Sequence, residues 1–253
     1  MKNNNDKPVL IGHRGEPVSF PENSLEGFRL ALSSGACYVE TDVQITADGI
    51  PVLSHDPSLL RLTGKDLVIS DSTLHLVQSL PAGFPDRFGG KFQHFRIATL
   101  EQFCSLVSRW PKAKAFIEIK RAAYNNLGTK AVDIVLQTIK PIASQCIIIS
   151  FAHEAVKYAR TKSDLPIGWI LPEWSNANHL LAEQLKPEYL FCNRKRLPPE
   201  TQELWLGEWL WAVYAVNVPD EITGFFRRGI SLIETNRVSE LLSIPELSAS
   251  CGE

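Results

Sequence analysis

Residues 9–44 read VLIGHRGEPVSFPENSLEGFRLALSSGACYVETDVQ, and this stretch indicates how the whole chain is built. It opens with an apolar run, Val9–His13, and closes with a second apolar run at residues 38–44. Between them, residues 24–34 place apolar side chains at helical spacing and end before Gly35, a typical helix stop. A strand, a helix and a second strand in this order are typical of parallel strands joined by a crossover. The sequence therefore predicts an α/β fold of repeated βαβ units.

Apolar runs with the character of β-strands recur along the rest of the chain and alternate with helical patterns, for example at residues 100–110 and 130–140. Eight strands joined in this way are the number that closes a (β/α)8 TIM barrel, and the chain has the ~250 residues typical of that fold. An open, doubly wound parallel sheet is the structural alternative. The eight predicted barrel strands are residues 9–13, 38–44, 115–120, 146–151, 166–171, 189–193, 211–217 and 230–235.

One further apolar run, residues 51–55, does not fit the alternation. It follows the second predicted strand after only Ala47-Asp48-Gly49, and Asp-Gly favours a tight turn. A parallel partner would require a crossover of about a dozen residues or more. We therefore predict an antiparallel hairpin at the barrel rim, followed by a small insertion over residues 57–96. The whole chain, residues 1–253, is then expected to form a single barrel domain.

The composition is that of a globular protein without a strongly charged surface. Hydrophobic residues make up 44% of the chain, and 26 Lys and Arg against 28 Asp and Glu give a formal charge of −2. The absence of a basic run argues against a nucleic-acid partner. No stretch approaches the ~20 consecutive apolar residues that span a bilayer, and the polar N-terminal segment lacks the apolar core of a signal peptide. We expect a cytoplasmic protein with no membrane anchor and a small-molecule partner, whose oligomeric state the sequence does not indicate.

The cysteines also favour a reducing compartment. They are odd in number, scattered, and contain no CxxC pair, so we predict reduced and mostly buried thiols. The five residues are Cys37, Cys104, Cys146, Cys192 and Cys251.

Carboxylates occupy strand positions where a barrel should be apolar. The two-residue period of a strand places Glu40 and Asp42 on one face, and Glu118 and Lys120 on one face of the third barrel strand. Three carboxylates gathered near the C-terminal rim would repel one another, and a divalent cation would remove that repulsion. Ligands that are all oxygen favour hard ions, so Mg²⁺ or Ca²⁺ is the predicted cofactor. The alternative is that these acids form structural salt bridges with Lys120 and Arg14.

Two histidines end predicted strands. His13 ends the first barrel strand and His55 ends the hairpin strand, and each precedes a charged residue, Arg14 or Asp56. A lone histidine at a strand end is usually structural, but two beside three acids suit general acid–base catalysis. Arg14 and Lys120 add positive donors that a phosphate requires. This set predicts phosphoryl transfer or cleavage of a phosphodiester.

The order and spacing of these motifs resemble the glycerophosphodiester phosphodiesterases, a family of TIM-barrel enzymes. The resemblance covers nearly the whole chain and is densest in its first quarter. The matching strings are Ile11-Gly12-His13-Arg14-Gly15, Pro21-Glu22-Asn23-Ser24, Glu40-Thr41-Asp42-Val43, Asp48-Gly49-Ile50-Pro51-Val52, His55-Asp56, Leu59-Leu60-Arg61-Leu62-Thr63-Gly64, Thr99-Leu100-Glu101, Ile117-Glu118-Ile119-Lys120 and Ser150-Phe151.

The resemblance implies an activity and a role for each matching residue. The implied reaction is the hydrolysis of a glycerophosphodiester to glycerol 3-phosphate and an alcohol, with the substrate's own glycerol 2-hydroxyl as the nucleophile. The implied roles are Glu40, Asp42 and Glu118 as metal ligands, His13 and His55 as the acid–base pair, and Arg14 and Lys120 as phosphate contacts.

Departures from the family pattern bear on substrate preference, and besides a usual proline missing from Ile97-Ala98-Thr99-Leu100 they lie toward the C-terminus. Tyr214-Ala215-Val216-Asn217 stands where Trp-Thr-Val-Asn is usual, and Thr235-Asn236-Arg237-Val238 stands where Thr-Asp precedes an aromatic residue and proline. Trp169, near a predicted strand end, is expected to line the substrate pocket. The cluster Trp205, Trp209 and Trp211 is expected to pack a helix on the barrel.

Two other functions fit a barrel with these residues. One is a related phosphodiesterase acting on a lysophospholipid or a sphingolipid, although the chain lacks a basic amphipathic helix for a membrane surface. The other is a barrel that binds ligands without catalysis, which would predict a missing ligand or histidine. A zinc amidohydrolase is disfavoured because the first strand ends His13-Arg14-Gly15 and not His-x-His.

Overall fold

The computed structural model describes residues 7–248, and its centre is a closed barrel of eight parallel strands. The first strand pairs with both the second and the last, so the eight parallel strands close on themselves and the open-sheet alternative is wrong. The barrel strands are β1 (Val9–His13), β2 (Tyr38–Ile45), β4 (Lys114–Ile119), β5 (Cys146–Ser150), β6 (Ile167–Ile170), β7 (Tyr189–Asn193), β8 (Leu210–Tyr214) and β9 (Leu232–Thr235).

Helices cover the outside of the barrel in most of the crossovers. The exception is the connection from β7 to β8, residues 194–209, which the structure describes throughout as turns and irregular chain. The α-helices are α1 (Leu25–Ser33), α2 (Leu60–Thr63), α3 (Leu74–Ser79), α4 (Pro85–Phe88), α5 (Leu100–Val107), α6 (Arg121–Leu127), α7 (Thr129–Ile139), α8 (His153–Lys162), α9 (Asn176–Leu185), α10 (Pro219–Arg227) and α11 (Val238–Leu241), with 3-10 turns at Ile69–Asp71 and Lys140–Gln145.

Side-chain caps begin two of the crossover helices. The Ser24 hydroxyl accepts a hydrogen bond from the Gly27 amide at 3.2 Å and begins α1. Thr99 and Gln102 form a reciprocal capping box that begins α5. Such caps satisfy amide groups that have no partner inside the helix, and each contributes about 1 kcal/mol.

The barrel interior is apolar at its lower level and polar at its upper level. Ile11, Phe116 and Leu232 belong to a compact cluster inside the barrel. Two residues further along the same strands, on the same face, lie His13, Glu118 and Glu234. Because the strands are parallel, these polar residues meet at the carboxyl ends, where TIM barrels carry their active sites.

The strand β3 (Pro51–Leu53) lies outside the barrel and pairs antiparallel with β2, with Val43 opposite Leu53. The segment 57–96 follows it and contains α2, α3 and α4. It packs on β3 around a small apolar core of its own, formed by Val52, Leu59, Leu62, Ile69, Val77, Ala82 and Ile97.

The loop 194–209 performs the packing that a crossover helix performs elsewhere. Trp205 from this loop stacks on Trp174 with ring centroids 3.9 Å apart, and Trp174 stacks in turn on Trp211 of β8. The expectation of a helix packed on the barrel through these tryptophans is therefore corrected: the indoles fill that space from a loop.

The cysteines divide into two groups. Cys104, Cys146 and Cys192 are free and buried, as predicted. Cys37 is disulfide-bonded, so the prediction of a reduced thiol is wrong for this residue, and the argument for a reducing compartment does not extend to it. Cys251 and residues 1–6 lie outside the described residues. The cytoplasmic location stays a prediction.

Candidate active site

Three carboxylates converge at the carboxyl ends of β2 and β4. Asp42 lies directly opposite Glu118 in the parallel register of the two strands, and Glu40 precedes Asp42 on the same face. One ligand oxygen from each residue lies within 4.8 Å of the others. All three are buried, with 2%, 1% and 6% of Glu40, Asp42 and Glu118 exposed. The barrel thus holds a buried acidic triad.

Two cations neutralise one member of the triad far more than the others. Lys120 Nζ lies 2.9 Å from both Asp42 Oδ1 and Glu118 Oε1, and Arg14 Nε lies 3.0 Å from Asp42 Oδ2. Burial opposes ionisation of Asp42, but the charges of Arg14 and Lys120 outweigh it and lower its pKa. The salt-bridge alternative is thus realised at Asp42 in particular.

Glu40 has the opposite environment. Its Oε1 is buried and accepts no hydrogen bond within the described chain. Burial, and then the charge of Asp42, raise the pKa of Glu40 well above its usual range. Burial likewise raises the pKa of Glu118 to about 7, although Lys120 opposes the shift. An unpartnered buried carboxylate oxygen beside two other acids is what a bound cation would satisfy.

A tight turn after β1 positions Arg14. Arg14 and Gly15 both have positive φ, at 55° and 85°, and the Arg14 amide donates to the Glu40 carbonyl oxygen at 3.0 Å. A Cβ atom on Gly15 would lie 2.8 Å from the backbone of Gly27 and Phe28, so only glycine fits. The turn therefore bends the chain back across β2 and brings the guanidinium over the acids.

His13 is held by a residue that the sequence reasoning did not propose for the site. Its Nδ1 lies 2.8 Å from Asn236 Oδ1, directly after β9. An amide oxygen accepts, so Nδ1 carries the proton and Nε2 keeps its lone pair. Nε2 faces Glu40 at 3.9 Å and Glu234 at 4.0 Å. Burial, and then the charge of Arg14, lower the pKa of His13 to about 3, so the ring is neutral at pH 7.

His55 is oriented by Asp56 within a chain of ion pairs. Its Nδ1 lies 2.7 Å from Asp56 Oδ1, and Arg61 Nε lies 2.6 Å from Asp56 Oδ2. Arg61 also makes two hydrogen bonds to Glu22, which pairs with Arg14 at 3.2 Å. Burial lowers the pKa of His55, whereas the bond to Asp56 acts in the opposite direction and favours the protonated ring. Asp56 thus orients the imidazole.

Two further residues reach the site. Asn23 donates from Nδ2 to Asp42 at 3.0 Å, while the neighbouring Ser24 caps α1. Glu234 of β9 was missed, although its position two residues after Leu232 on a predicted strand was the available signal. Burial, and then the charge of Glu118, raise the pKa of Glu234 well above its usual range.

The structure does not bring Trp169 to the site, which corrects the expectation that it lines the pocket. Its side chain is 1% exposed and packs edge-on against His153 of α8, with ring centroids 5.0 Å apart. The reason is the two-residue period of β6, because Gly168 and Ile170 face the barrel interior and Trp169 points outward to the helices.

A cleft of about 570 Å³ opens beside the triad, a size suited to a small-molecule ligand. Its residues lie at or just beyond the carboxyl ends of barrel strands or belong to the hairpin region. The lining residues are Gln44, His55, Pro57, Glu118, Lys120, Arg121, Ala122, Phe151, Pro172, Asn193, Arg196 and Tyr214. Within residues 7–248, no helix combines the length and the apolar character needed to cross a membrane.

The closed barrel, with a polar cluster and a cleft at its C-terminal rim, defines the class of TIM-barrel enzymes. A solved structure of an Oleispira antarctica phosphodiesterase in complex with the product sn-glycerol-3-phosphate superposes with a TM-score of 0.81 at 22% identity, over 94% of this chain and 96% of that chain. A glycerophosphodiester phosphodiesterase from Thermotoga maritima superposes with a TM-score of 0.70 at 25% identity, over 94% and 98% of the two chains.

Sequence comparison identifies the family. A model of the glycerophosphoryl diester phosphodiesterase family matches residues 13–240. A glycerophosphodiester phosphodiesterase of Caldanaerobacter subterraneus subsp. tengcongensis is 32% identical over 72% of this chain and 76% of its own length. Glycerophosphodiester phosphodiesterase 1 of Bos taurus is 30% identical over 67% of this chain but only 51% of its own length. The chain belongs to the glycerophosphoryl diester phosphodiesterase family.

Proposed function

We propose that the protein hydrolyses glycerophosphodiesters to glycerol 3-phosphate and an alcohol, with the help of a divalent cation. The observation that carries this proposal is a buried acidic triad at the barrel rim, with His13 beside Glu40 and His55 lining the adjoining cleft. Family membership and the bacterial relative, whose name states this activity, support the choice of substrate. The partner is a small molecule.

Glu40, Asp42 and Glu118 are the proposed ligands of the cation. Four buried acids, counting Glu234, stand against two cations, Arg14 and Lys120, so their formal charges sum to −2 when all are ionised. A divalent ion balances that charge, and oxygen-only ligands favour Mg²⁺ or Ca²⁺. When bound, the cation would neutralise charge on the phosphate and make an attacking hydroxyl more acidic.

The two histidines are proposed to move protons on opposite sides of the phosphorus atom. His13 suits the role of base, because it is neutral and its Nε2 lone pair faces the acid cluster. His55 is assigned the role of acid, because it lines the cleft through which an alcohol would leave, and the hydrogen bond to Asp56 opposes the lowering of its pKa by burial.

The nucleophile and the phosphate contacts follow from the same arrangement. The attacking group is proposed to be the glycerol 2-hydroxyl of the substrate, which His13 would deprotonate. Arg14 and Lys120 would donate to the phosphate oxygens, since both side chains remain partly open to solvent while they pair with Asp42. Their ion pairs hold both cations in place before a substrate binds.

The test is turnover of glycerophosphocholine and glycerophosphoglycerol by the purified protein, before and after EDTA treatment. We expect glycerol 3-phosphate to form, activity to be lost with EDTA, and Mg²⁺ or Ca²⁺ to restore it. Glu118→Gln should lose metal-dependent activity, His13→Ala should lose turnover and keep metal binding, and the exposed-surface control Glu101→Gln should keep both. Absence of turnover with every added ion would instead favour a binding module.

A further inference from the structure

The cleft has a second wall that the proposed catalytic groups do not use. It consists of Arg121, Phe151, Arg196 and Tyr214, which we call the guanidinium wall. Arg121 follows β4, Phe151 follows β5, Arg196 lies in the loop after β7, and Tyr214 ends β8. All four line the same cleft as His55 and Glu118. They lie at or after the carboxyl ends of β4, β5, β7 and β8, with β6 between the two pairs.

Contacts join three of these side chains, and a backbone carbonyl holds the fourth. The Arg121 guanidinium lies over the Phe151 ring, 5.6 Å from its centroid, and Phe151 meets Tyr214 edge-on with centroids 6.4 Å apart. Arg196 donates from its guanidinium to the Pro172 carbonyl oxygen, which tethers the side chain across the loop. Two planar cations thus line the cleft, and one of them, Arg121, lies over an aromatic ring.

These two guanidinium groups are not neutralised by the described part of the chain. No carboxylate in residues 7–248 lies within ion-pair distance of Arg121 or Arg196, whereas the neighbouring Arg194 is paired with Glu221. The cleft lining contains one carboxylate, Glu118, and Lys120 already contacts it at 2.9 Å. The part of the cleft away from the acidic triad therefore has an excess of positive charge.

We propose that the guanidinium wall binds the alcohol portion of the substrate and selects one that carries a negative charge, such as a phosphate or a carboxylate. The proposal rests on the proposed function, which leaves the scissile phosphate to Arg14 and Lys120 and the wall free for the head group. Guanidinium groups bind such anions through paired hydrogen bonds.

The same wall disfavours a cationic head group. A quaternary ammonium is bound by aromatic faces, but Arg121 already covers a face of Phe151. A second positive charge would also be repelled by Arg196 across the cleft. Choline esters should therefore be poorer substrates than neutral or anionic ones.

The experiment compares kcat/KM for three diesters that share the glycerophosphate portion. They are glycerophosphoglycerol, the same diester with a phosphate on its terminal hydroxyl, and glycerophosphocholine. We expect the anionic diester to exceed the neutral one by about tenfold, the gain of one charge-assisted hydrogen bond, and the choline diester to be the poorest.

Variants assign that preference to the wall. Arg196→Gln and Arg121→Gln should each lower kcat/KM for the anionic diester more than for the neutral one, so that the ratio of anionic to neutral kcat/KM falls several-fold. Arg196→Lys, which keeps the charge, should retain much of the ratio. Arg194→Gln is the matched control, because its cation is paired with Glu221 and does not line the cleft, and it should not change the ratio.

Two outcomes separate the failure of this inference from failure of the proposed function. Equal turnover of all three diesters by the wild type, or a proportional loss on all three in Arg196→Gln, would overturn the guanidinium wall alone. No turnover of any diester with any divalent cation would overturn the proposed function and this inference with it.

Discussion

Glu40 and Asp42 stand two residues apart on one face of β2, yet neutralising them should change stability in opposite directions. The substitutions are Asp42→Asn and Glu40→Gln, both close in shape to the wild type, measured in protein kept free of divalent cations. Asp42 contacts two cations, whereas Glu40 Oε1 has no hydrogen-bond donor within the described residues. Neutralisation therefore removes an attraction at one position and a repulsion at the other.

The free energy of unfolding lost in Asp42→Asn can be estimated from the contacts of Asp42. Removing one partner of a buried ion pair costs about 3–5 kcal/mol. Lys120 keeps Glu118 at 2.9 Å and Arg14 keeps Glu22 at 3.2 Å, so the lower end of that range applies. For a chain of this size, each kcal/mol corresponds to about 2–4 °C in melting temperature, so a loss of about 3 kcal/mol lowers it by roughly 10 °C.

The gain in stability expected from Glu40→Gln depends on pH, and the pKa of Glu40 fixes its direction. Its pKa in the folded protein is raised by burial and by Asp42, so ionisation is harder in the folded than in the unfolded chain. A protein with a carboxylate of this kind becomes less stable as the pH rises above the pKa of the group in the unfolded chain and towards its pKa in the folded protein. Glu40→Gln does not titrate. It should therefore resemble the wild type near pH 5 and be the more stable protein at pH 8.

Urea unfolding in EDTA, followed by tryptophan fluorescence at pH 5 and pH 8, measures both effects. Glu101→Gln, an exposed residue of α5, is the control for loss of a carboxylate. Equal destabilisation by both substitutions, or a loss below about 1 kcal/mol for Asp42→Asn, which is within the range of ordinary substitutions, would refute the charge assignment.

Three other perturbations follow from the geometry. Asp56→Asn removes the carboxylate that orients His55 and should lower kcat about tenfold with little change in KM; an unchanged kcat would show that the pair has no role in turnover. Gly15→Ala forces a Cβ atom to 2.8 Å from backbone atoms at a φ of 85°. It should lower the free energy of unfolding in urea by about 2 kcal/mol or more, and an unchanged stability would contradict the described turn. Burial raises the pKa of the thiols of Cys104, Cys146 and Cys192 to about 12, so roughly one thiol in ten thousand is ionised at pH 8. Iodoacetamide should therefore label these cysteines only after denaturation. Labelling of the native protein would count against their burial.

Much of the fold and of the site was predictable because it depends on local periodicity. The two-residue period of a strand is sufficient to put Glu40 and Asp42 on one face, and β1 and β7 have the predicted bounds. The Asp-Gly turn after β2 indicated the antiparallel pairing of β3. These features are encoded within a few residues of chain, so their positions can be read without knowledge of distant contacts.

Other features depended on which distant groups the closed barrel brings together. Periodicity shows that Gly168 and Trp169 face opposite ways, but only the pairing of β6 with its neighbours shows that Trp169 faces the helices. The crossover from β7 to β8 carried no signal that it lacks a helix, because its tryptophans pack equally well from a loop.

From the sequence itself came the alternation of strands and helices, the acids on shared strand faces and the histidines at strand ends, since each is a repeat over neighbouring residues. The tertiary structure alone decided that Asp42 receives both cations while Glu40 receives none, and that Glu234 and Asn236 reach His13 from the last strand. Charges and hydrogen bonds act through space, so groups over two hundred residues apart in the chain acquire their roles only when β9 closes against β1.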